Sequence, residues 1–194
     1  MLVATTKPES VFQEVPVQFR MVLLLLLATL LSVVGKEAVM AMEIRSAVFE
    51  EGGEIPRHYT CQGENISPPL SWSGIPAEAK SLVLIVDDPD APDPAAPKMT
   101  WVHWVLYNLP PDSGGLAEEV MDLPPGTLEG RNDWGRTGYG GPCPPIGRHR
   151  YFHKIYALDI LLDDLNQPTK ADIERAMAGH ILAEGRLIGT YQKH

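Results

Sequence analysis

The side chains best suited to chemistry lie in three separate stretches of the chain. Asp88 and Asp90 stand in "DDPDAP", directly after an apolar run, and His103 lies within "WVHWVLYNLP". His149 and Tyr151 close the segment "GYGGPCPPIGRHRY", which is rich in glycine and proline. Carboxylate, imidazole and phenol groups can hold a small charged molecule by hydrogen bonds, or move a proton. These five side chains are therefore the candidates for a functional site.

Two of the stretches also have a purely structural interpretation. An Asp-Pro turn often does no more than end a strand, although proline would hold the two carboxylates at a rigid strand end. A histidine inside an apolar run is most often a core residue. Strand alternation places His103 on the face of Trp101 and Val105, opposite Trp104. On such an apolar face the imidazole must find a hydrogen-bond partner or line a cavity.

The glycine- and proline-rich segment could form the wall of such a cavity. Consecutive glycines allow peptide N–H groups to converge on a bound anion, because no Cβ atom obstructs them. The prolines hold the loop in one shape, so less conformational entropy is lost when a ligand binds. On the strand that follows, alternation places His149 and Tyr151 on the cavity side and Arg150 on the other side. A surface loop beside an ordinary strand explains the segment equally well.

The sequence contains none of the common nucleophile, metalloprotease or phosphate-loop motifs, which are G-x-S-x-G, H-E-x-x-H and G-x-x-x-x-G-K-[ST]. The aspartates and histidines could in principle ligate a metal ion, but their spacing does not require one. We therefore predict neither a metal nor a cofactor. Cys61 and Cys143 show neither a CxxC pattern nor zinc spacing, which leaves a long-range disulfide and two reduced thiols equally open.

The composition is that of a globular protein with many turns. The chain has 194 residues, enough for one domain with an appendage, and includes 18 prolines and 17 glycines. Its formal net charge is −9, and it has no basic run. Because such an acidic chain repels a phosphate backbone, we predict no nucleic-acid partner.

Residues 1–41 are predicted to lie outside the folded domain. An uncharged apolar stretch runs from Met21 to Gly35, which is shorter than the ~20 residues of a spanning helix. The preceding Arg20 and the small residues before Met42 are typical of a secretory signal, which would export the protein to the periplasm or the extracellular space. The alternative is an overextended gene start, with Met42 as the true initiator of a cytoplasmic protein.

Residues 42–194 are predicted to form one mainly β domain. Apolar runs at residues 81–92 and 101–110 are predicted to be strands, as is the stretch 151–162, in which aromatic and aliphatic residues nearly alternate with polar ones. The links between them are long and rich in Pro, Gly and Asp, which favours an antiparallel β-sandwich over βαβ units. Thr169 and Asp172 form a capping pair at the start of one helix, which would continue to about Gly185. Residues 187–192 are predicted to form a last strand.

Four segments occur in an order that resembles one known family. They are "YTCQGENISPPLSW", "DDPDAP", "HWVLYNLP" and "GYGGPCPPIGRHRY". The set resembles the phosphatidylethanolamine-binding protein family, in its bacterial and archaeal Raf-kinase-inhibitor-like branch, over nearly all of residues 42–194. The resemblance implies a large antiparallel sheet, a smaller sheet and a few peripheral helices.

The resemblance also implies a pocket for a phosphate-like or carboxylate-like anion. An aspartate that orients a histidine would favour the cationic ring, and the alternative is that one carboxylate stays protonated and donates to the ligand. The residues that would bind the ligand are Asp88, Asp90, His103, Gly140, Gly141, Pro142, Cys143, Pro144, His149 and Tyr151.

The function that follows is ligand binding rather than catalysis. The family resemblance implies a small anion or a phospholipid headgroup as ligand, with a regulatory influence on a kinase or a protease. One alternative is a hydrolase in which His103 or His149 acts as general base beside an aspartate. Another is a protein-interaction domain whose pocket only shapes the surface. The sequence leaves a homodimer open.

Overall fold

A six-stranded sheet and a three-stranded sheet form residues 40–194, the part of the chain that this computed structural model describes. The strands are β1 (Met40–Ala41), β2 (Glu43–Ser46), β3 (Leu70–Ser73), β4 (Ser81–Ala91), β5 (Met99–Leu109), β6 (Gly115–Leu116), β7 (Leu128–Glu129), β8 (Arg148–Leu158) and β9 (Ile181–Gln192). The large sheet has the order β1-β9-β8-β4-β5-β7, and the small sheet has the order β2-β3-β6. Neighbouring strands are antiparallel except for β1 and β9. The predicted mainly β fold with a large and a smaller sheet is confirmed.

The alternating apolar residues of β4 serve both faces of the large sheet. Leu82, Leu84 and Val86 join a core that includes residues of the small sheet. Val83 and Ile85 pack on the opposite face. Since β4 is covered on both faces, the residues at its C-terminal end stand on a rigid support.

The helix α1 (Lys170–Ala176) packs on that opposite face, and the 3₁₀ helices Arg57–Tyr59 and Pro111–Ser113 lie in connecting segments. The predicted capping pair is present, because the side chains of Thr169 and Asp172 each accept a hydrogen bond from the other's backbone N–H. The predicted end of the helix near Gly185 is wrong. Gly179 adopts a φ of +84°, which interrupts the helix, and Ile181 already begins β9.

The first described strand lies at the edge of the large sheet, where Met40 and Ala41 pair with Ala183 and Glu184 of β9. The predicted signal segment otherwise falls on residues 1–39, which lie outside the described residues, and the domain boundary at residue 42 stays a prediction. Within residues 40–194, no helix is both long enough and apolar enough to cross a bilayer.

Candidate ligand-binding site

A cavity of about 310 Å³ lies beside the C-terminal end of β4 and the N-terminal ends of β5 and β8. Three of the polar residues predicted from the sequence line it, namely Asp88, His103 and His149. Cys143 and Pro144 of the glycine- and proline-rich loop form part of its wall. The lining residues include neither lysine nor arginine in the described part of the chain. The cavity therefore has a floor with three polar side chains, but no lysine or arginine from the described residues lines it.

His149 and Asp88 form a buried hydrogen-bonded pair in this floor. His149 Nδ1 lies 2.6 Å from Asp88 Oδ2, and His149 Nε2 lies 3.0 Å from the carbonyl oxygen of Ile146. A carbonyl oxygen only accepts, so Nε2 carries a hydrogen and donates it. The contact with Asp88 needs one further proton, since a bare nitrogen would repel a carboxylate. Whichever atom holds that proton, the pair has no net charge and His149 offers no lone pair to another molecule.

Asp88 is also held by the turn that follows it. Its Oδ1 accepts a hydrogen bond from the backbone N–H of Asp90, at 2.8 Å. Burial raises the pKa of Asp88 above its ordinary value, and the hydrogen bond with His149 opposes that shift. Both oxygens of this carboxylate are thus engaged within the protein.

A β-bulge in β5 places His103 at the cavity. Val86 pairs with Trp104, but the next residue, Asp87, pairs with Val102, so His103 has no partner opposite it on β4. Such a bulge re-aims a side chain. His103 lines the cavity, while Val105 packs in the core on the other face of the sheet. The predicted shared face of His103 and Val105 is wrong, because strict alternation does not continue through a bulge.

His103 has one ring nitrogen with no hydrogen-bond partner within residues 40–194. Its Nδ1 lies 2.6 Å from the carbonyl oxygen of Gly140, so Nδ1 carries a hydrogen and donates it. Burial lowers the pKa of His103 to about 4, which makes the ring neutral at pH 7 and leaves a lone pair on Nε2. Nε2 is buried and has no hydrogen-bond partner among the described residues. Because His103 lines the cavity, this unpartnered atom is the candidate contact for a bound molecule.

Asp90 lies next to the cavity and does not line it. Its Oδ2 accepts hydrogen bonds from the backbone N–H and Nε of Arg150, both at 2.9 Å, and its Oδ1 accepts one from Nη2 at 2.7 Å. The side-chain hydrogen bond from Arg150 lowers the pKa of Asp90. Asp90 therefore fastens β8 to the end of β4, and its part in ligand binding stays a prediction.

Tyr151 lies behind the floor of the cavity. Its ring packs edge-on against His103 with centroids 5.1 Å apart, and it stacks on His149 with centroids 6.5 Å apart. Its hydroxyl is buried without a hydrogen-bond partner in the described part of the chain, and burial raises its pKa. Tyr151 thus supports both imidazoles, whereas Arg150 points away as the sequence predicts. Direct contact of Tyr151 with a ligand stays a prediction.

The two consecutive glycines of the loop use their peptide N–H groups within the protein. Gly140 donates to the carbonyl oxygen of His103 at 3.0 Å, and Gly141 donates to Asn65 Oδ1 at 2.8 Å. A Cβ atom on Gly140 would collide with the ring of Trp134, and one on Gly141 would collide with the carbonyl oxygen of Tyr59. The glycines are therefore required for close packing, and the expected convergence of their N–H groups on an anion is not what the structure has. Pro142 does not line the cavity.

The loop is tied to the segment that follows the first 3₁₀ helix. Cys61 and Cys143 form a disulfide with Cα atoms 5.4 Å apart, which decides between the two alternatives that the sequence left open. The backbone N–H of Cys61 donates to the carbonyl oxygen of Pro142 at 3.1 Å. The hydroxyl of Tyr139 donates to the carbonyl oxygen of Tyr59, also at 3.1 Å. The cavity wall is thus held at several points.

Sequence reasoning missed the aromatic mouth of the cavity. Met99, Trp101 and Trp134 line it, and Met99 and Trp134 are 48% and 44% exposed. The Trp134 ring packs edge-on against Trp101 and His103, with centroids 5.4 Å and 5.1 Å away. Buried Asn132 fixes this loop by accepting from the backbone N–H of Trp134. A tryptophan in a polar, glycine-containing stretch is the signal that could have indicated it.

A metal site is not supported by the geometry of residues 40–194. In that range no three or more His, Cys, Asp or Glu side chains come together as a metal-binding group would require. The predicted site residues instead make hydrogen bonds with one another and with the backbone.

Comparison with known proteins gives the family. The model of the family described as "Phosphatidylethanolamine-binding protein" matches residues 45–192. The chain belongs to the phosphatidylethanolamine-binding protein family. The matched range contains every strand that lines the cavity and the whole glycine- and proline-rich loop.

Relatives within this family cover the described domain. A UPF0098 protein of Methanothermobacter thermautotrophicus is 54% identical over 155 residues, which are 78% of this chain and 99% of the relative. The phosphatidylethanolamine-binding protein homologue CT736 of Chlamydia trachomatis has 47% identity and a TM-score of 0.74, and the match covers 79% of this chain and 99% of that one. E. coli YbcL has 29% identity and a TM-score of 0.71, with the same coverage. The recognised family and its fold are thus confirmed.

Proposed function

We propose that this protein binds a small phosphate- or carboxylate-bearing molecule, of the phosphoethanolamine type, in the cavity above His103. The observation that carries the proposal is that His103 lines this cavity while its buried Nε2 has no hydrogen-bond partner among the described residues. A volume of about 310 Å³ is at the small end of the range for ligand pockets and suits a headgroup rather than an acyl chain. Membership of the phosphatidylethanolamine-binding protein family supports the same ligand class.

The hydrogen bonds favour binding over hydrolysis. A general base needs a lone pair directed at the substrate and is usually oriented by a third group. The carboxylate of Asp88 contacts His149, whose other nitrogen donates to Ile146, so His149 has no free lone pair. His103 has the lone pair, but its Nδ1 donates to the carbonyl of Gly140 instead of an aspartate. The histidine with a carboxylate partner and the histidine that faces a ligand are therefore different residues.

The proposal is tested by NMR titration of the full chain with phosphoethanolamine. We expect saturable shifts of the His103 and His149 ring signals, while the signals of His180 stay unchanged, because His180 is exposed and pairs with Asp159 away from the cavity. In His103→Phe, which keeps a ring of similar shape without Nε2, the affinity should fall at least tenfold. Unchanged histidine signals in the wild-type protein at millimolar ligand would rule the proposal out.

We also propose that this domain, with its ligand bound, regulates a kinase or a protease. The exposed Met99, Trp134 and Ile146 beside the cavity offer an apolar surface on which a partner could rest, with the ligand controlling its shape. Trp134→Ala should then weaken both ligand binding and inhibition of a responsive enzyme, whereas Met121→Ala, an exposed residue elsewhere, should change neither.

Export is the localisation that we propose. The disulfide between Cys61 and Cys143 supports an oxidising compartment. Alkylation of the protein in freshly lysed cells, without reductant, should leave both cysteines unmodified. Rapid modification of both would favour the cytoplasmic alternative.

A further inference from the structure

The polar residues that line the cavity leave one unpartnered acceptor atom within residues 40–194, His103 Nε2, and have little with which to attract a bare anion. His103 Nε2 offers a lone pair, and the Asp88–His149 pair is neutral as a unit. The lining contains no lysine or arginine in the described residues. An anion that entered as such would meet a lone pair at close range, which is repulsive.

The peptide donors near the floor are also mostly engaged. Gly140 and Gly141 donate their N–H groups to His103 O and Asn65 Oδ1. Prolines have no N–H, so between residues 140 and 145 the remaining peptide N–H belongs to Cys143. The hydroxyl of Tyr151 lies behind the floor, on a residue that does not line the cavity. The N–H of Cys143 can donate to one oxygen of a ligand, but His103 Nε2 still lacks a hydrogen-bond donor.

The charged and titratable groups around His103 do not change this picture. Asp87 and Asp88 approach it from β4, and His149, Tyr151 and His153 approach it from β8. Asp87 is held by two lysines on the far face, and Asp88 is paired with His149. The loop side contributes Trp134 and the carbonyl of Gly140, neither of which can protonate Nε2.

From these contacts we infer that the ligand group seated against His103 Nε2 is itself a hydrogen-bond donor. This inference rests on the proposed function and specifies its ligand. Two chemical groups share the required property: the O–H of a singly protonated phosphate monoester, and the N–H of a primary ammonium group. In the first case a second oxygen can accept from Cys143 N–H. In the second case the ammonium shares the cavity with Trp101 and Trp134, whose type of ring attracts cations.

Four compounds of similar shape separate the two sources. Phosphoethanolamine has both donors, phosphocholine has only the O–H, 2-aminoethyl sulfate has only the N–H, and choline sulfate has neither. Their affinities for the full chain are measured by calorimetry at pH 5.5, where the phosphate is mostly singly protonated because its second pKa is about 6. We expect choline sulfate to bind at least tenfold more weakly than phosphoethanolamine.

The intermediate compounds identify the donor. If phosphocholine binds well, the donor is the O–H, and its affinity should fall up to tenfold per pH unit above about pH 6. If 2-aminoethyl sulfate binds well, the donor is the ammonium, and its affinity should stay flat from pH 5 to 8. Either result supports the inference.

Two results count against it, and they differ. Choline sulfate binding within threefold of phosphoethanolamine would mean that the protein supplies the donor, which overturns the inference and leaves the proposed function intact. No binding by any of the four would overturn the proposed function as well.

The variant His103→Gln distinguishes a specific role of His103 from loss of folding, because it is expected to bind one of the compounds more tightly than the wild type does. In His103→Gln the carboxamide can turn either its oxygen or its NH₂ group toward the cavity. The preference for phosphoethanolamine over choline sulfate should therefore shrink to within about threefold, mainly because choline sulfate binds better than in the wild type. A misfolded protein cannot produce that result, and an unchanged preference would show that His103 does not set it.

Discussion

Asp87 and Asp88 are adjacent in the chain and serve opposite faces of the large sheet. Asp88 lines the cavity and contacts His149. Asp87 lines a groove on the other face, where its Oδ2 accepts hydrogen bonds from Lys154 at 2.7 Å and Lys170 at 2.6 Å. Because Lys170 begins α1, this carboxylate fastens the helix to the sheet. Within one motif, one aspartate therefore lies at the cavity and the other holds the helix on the opposite face of the sheet.

Substitution of the two neighbours should separate stability from affinity. Asp87→Asn removes the buried carboxylate that two lysines share and should lower the free energy of unfolding by about 3 kcal/mol. The ligand affinity should stay unchanged within twofold. Asp88→Asn replaces the carboxylate that contacts His149 Nδ1 with an amide, and should weaken phosphoethanolamine binding at least tenfold with a smaller loss of stability, because the amide can still hydrogen-bond to the ring. Urea unfolding and calorimetry measure the two effects.

This pair of variants has a clear contrary outcome. If Asp87→Asn weakened ligand binding as much as Asp88→Asn, the loss would come from general loosening of β4. The contact between Asp88 and His149 would then have no specific part in binding.

The Asp90–Arg150 pair should make stability depend on acid. The pKa of Asp90 is lowered in the folded protein chiefly by the side chain of Arg150, from an ordinary value of 3.8. A lowered folded-state pKa gives stability that is present above 3.8 and is lost as the pH falls through the folded-state value. Asp90→Asn should therefore cost roughly 1–2 kcal/mol at pH 7, since Arg150 is half exposed, and progressively less below pH 3.8.

The matched control is Asp163→Asn, an exposed aspartate, which should follow the wild-type profile. Urea midpoints between pH 3 and 7 give the comparison. A constant difference between Asp90→Asn and the wild type at every pH would mean that the carboxylate charge is not what Arg150 recognises. The same variant tests the predicted binding role of Asp90. Because Asp90 does not line the cavity, we expect the ligand affinity to change by less than threefold, and a larger loss would support that role.

Much of the fold follows from local pattern. The runs that became β4 and β5 are largely apolar and are ended by aspartate or proline. The run that became β8 alternates aromatic and aliphatic residues with polar ones. The capping pair at Thr169 and Asp172 located the start of α1 because capping is a contact across three residues. The end of α1 is set by tertiary structure, because Ile181 pairs with Leu158 of β8 instead of continuing the helix. A local sequence pattern does not show this pairing.

The sequence predicts that Asp88, His103 and His149 lie together, and they do line one cavity. It does not predict their hydrogen bonds. The sequence does not show which of the two histidines keeps an unpartnered nitrogen, because this depends on the bulge at His103 and on the contact of His149 with the carbonyl of Ile146. The position of Trp134 at the cavity is likewise not predictable from local sequence, because tertiary packing brings its ring against His103.

The disulfide should stabilise the wall of the cavity. Cys61 and Cys143 are 82 positions apart, and closing a loop of that size is worth about 4 kcal/mol in the unfolded chain. The double variant Cys61→Ser/Cys143→Ser should lose about that much stability in urea and bind phosphoethanolamine several-fold more weakly, because Cys143 lines the cavity. Reduction of the wild-type protein should reproduce both effects. Equal stability of the oxidised and reduced forms would show that the hydrogen bonds at Tyr139 and Gly141 hold the loop alone.

Two buried histidines should make the protein less stable as the pH falls. Burial lowers the pKa of His103 and of His153 from 6.5 to about 4. Between pH 6.5 and 4 the unfolded chain binds these protons and the folded protein does not, so stability is full above pH 6.5 and decreases toward pH 4. A shift of this size corresponds to on the order of 3 kcal/mol for each histidine.

His153→Phe isolates one of the two contributions. His153 packs against Phe49 in the core, with ring centroids 5.3 Å apart, so a phenyl ring can take its place. The variant should lose about half of the decrease in unfolding free energy between pH 7 and pH 4, and His180→Gln, at a half-exposed position, should retain all of it. If His153→Phe kept the full wild-type slope, His153 would have to be protonated in the folded core. A cation there would need a carboxylate partner, and Asp87, the acidic group that acts on it, already binds two lysines on the opposite face of the sheet.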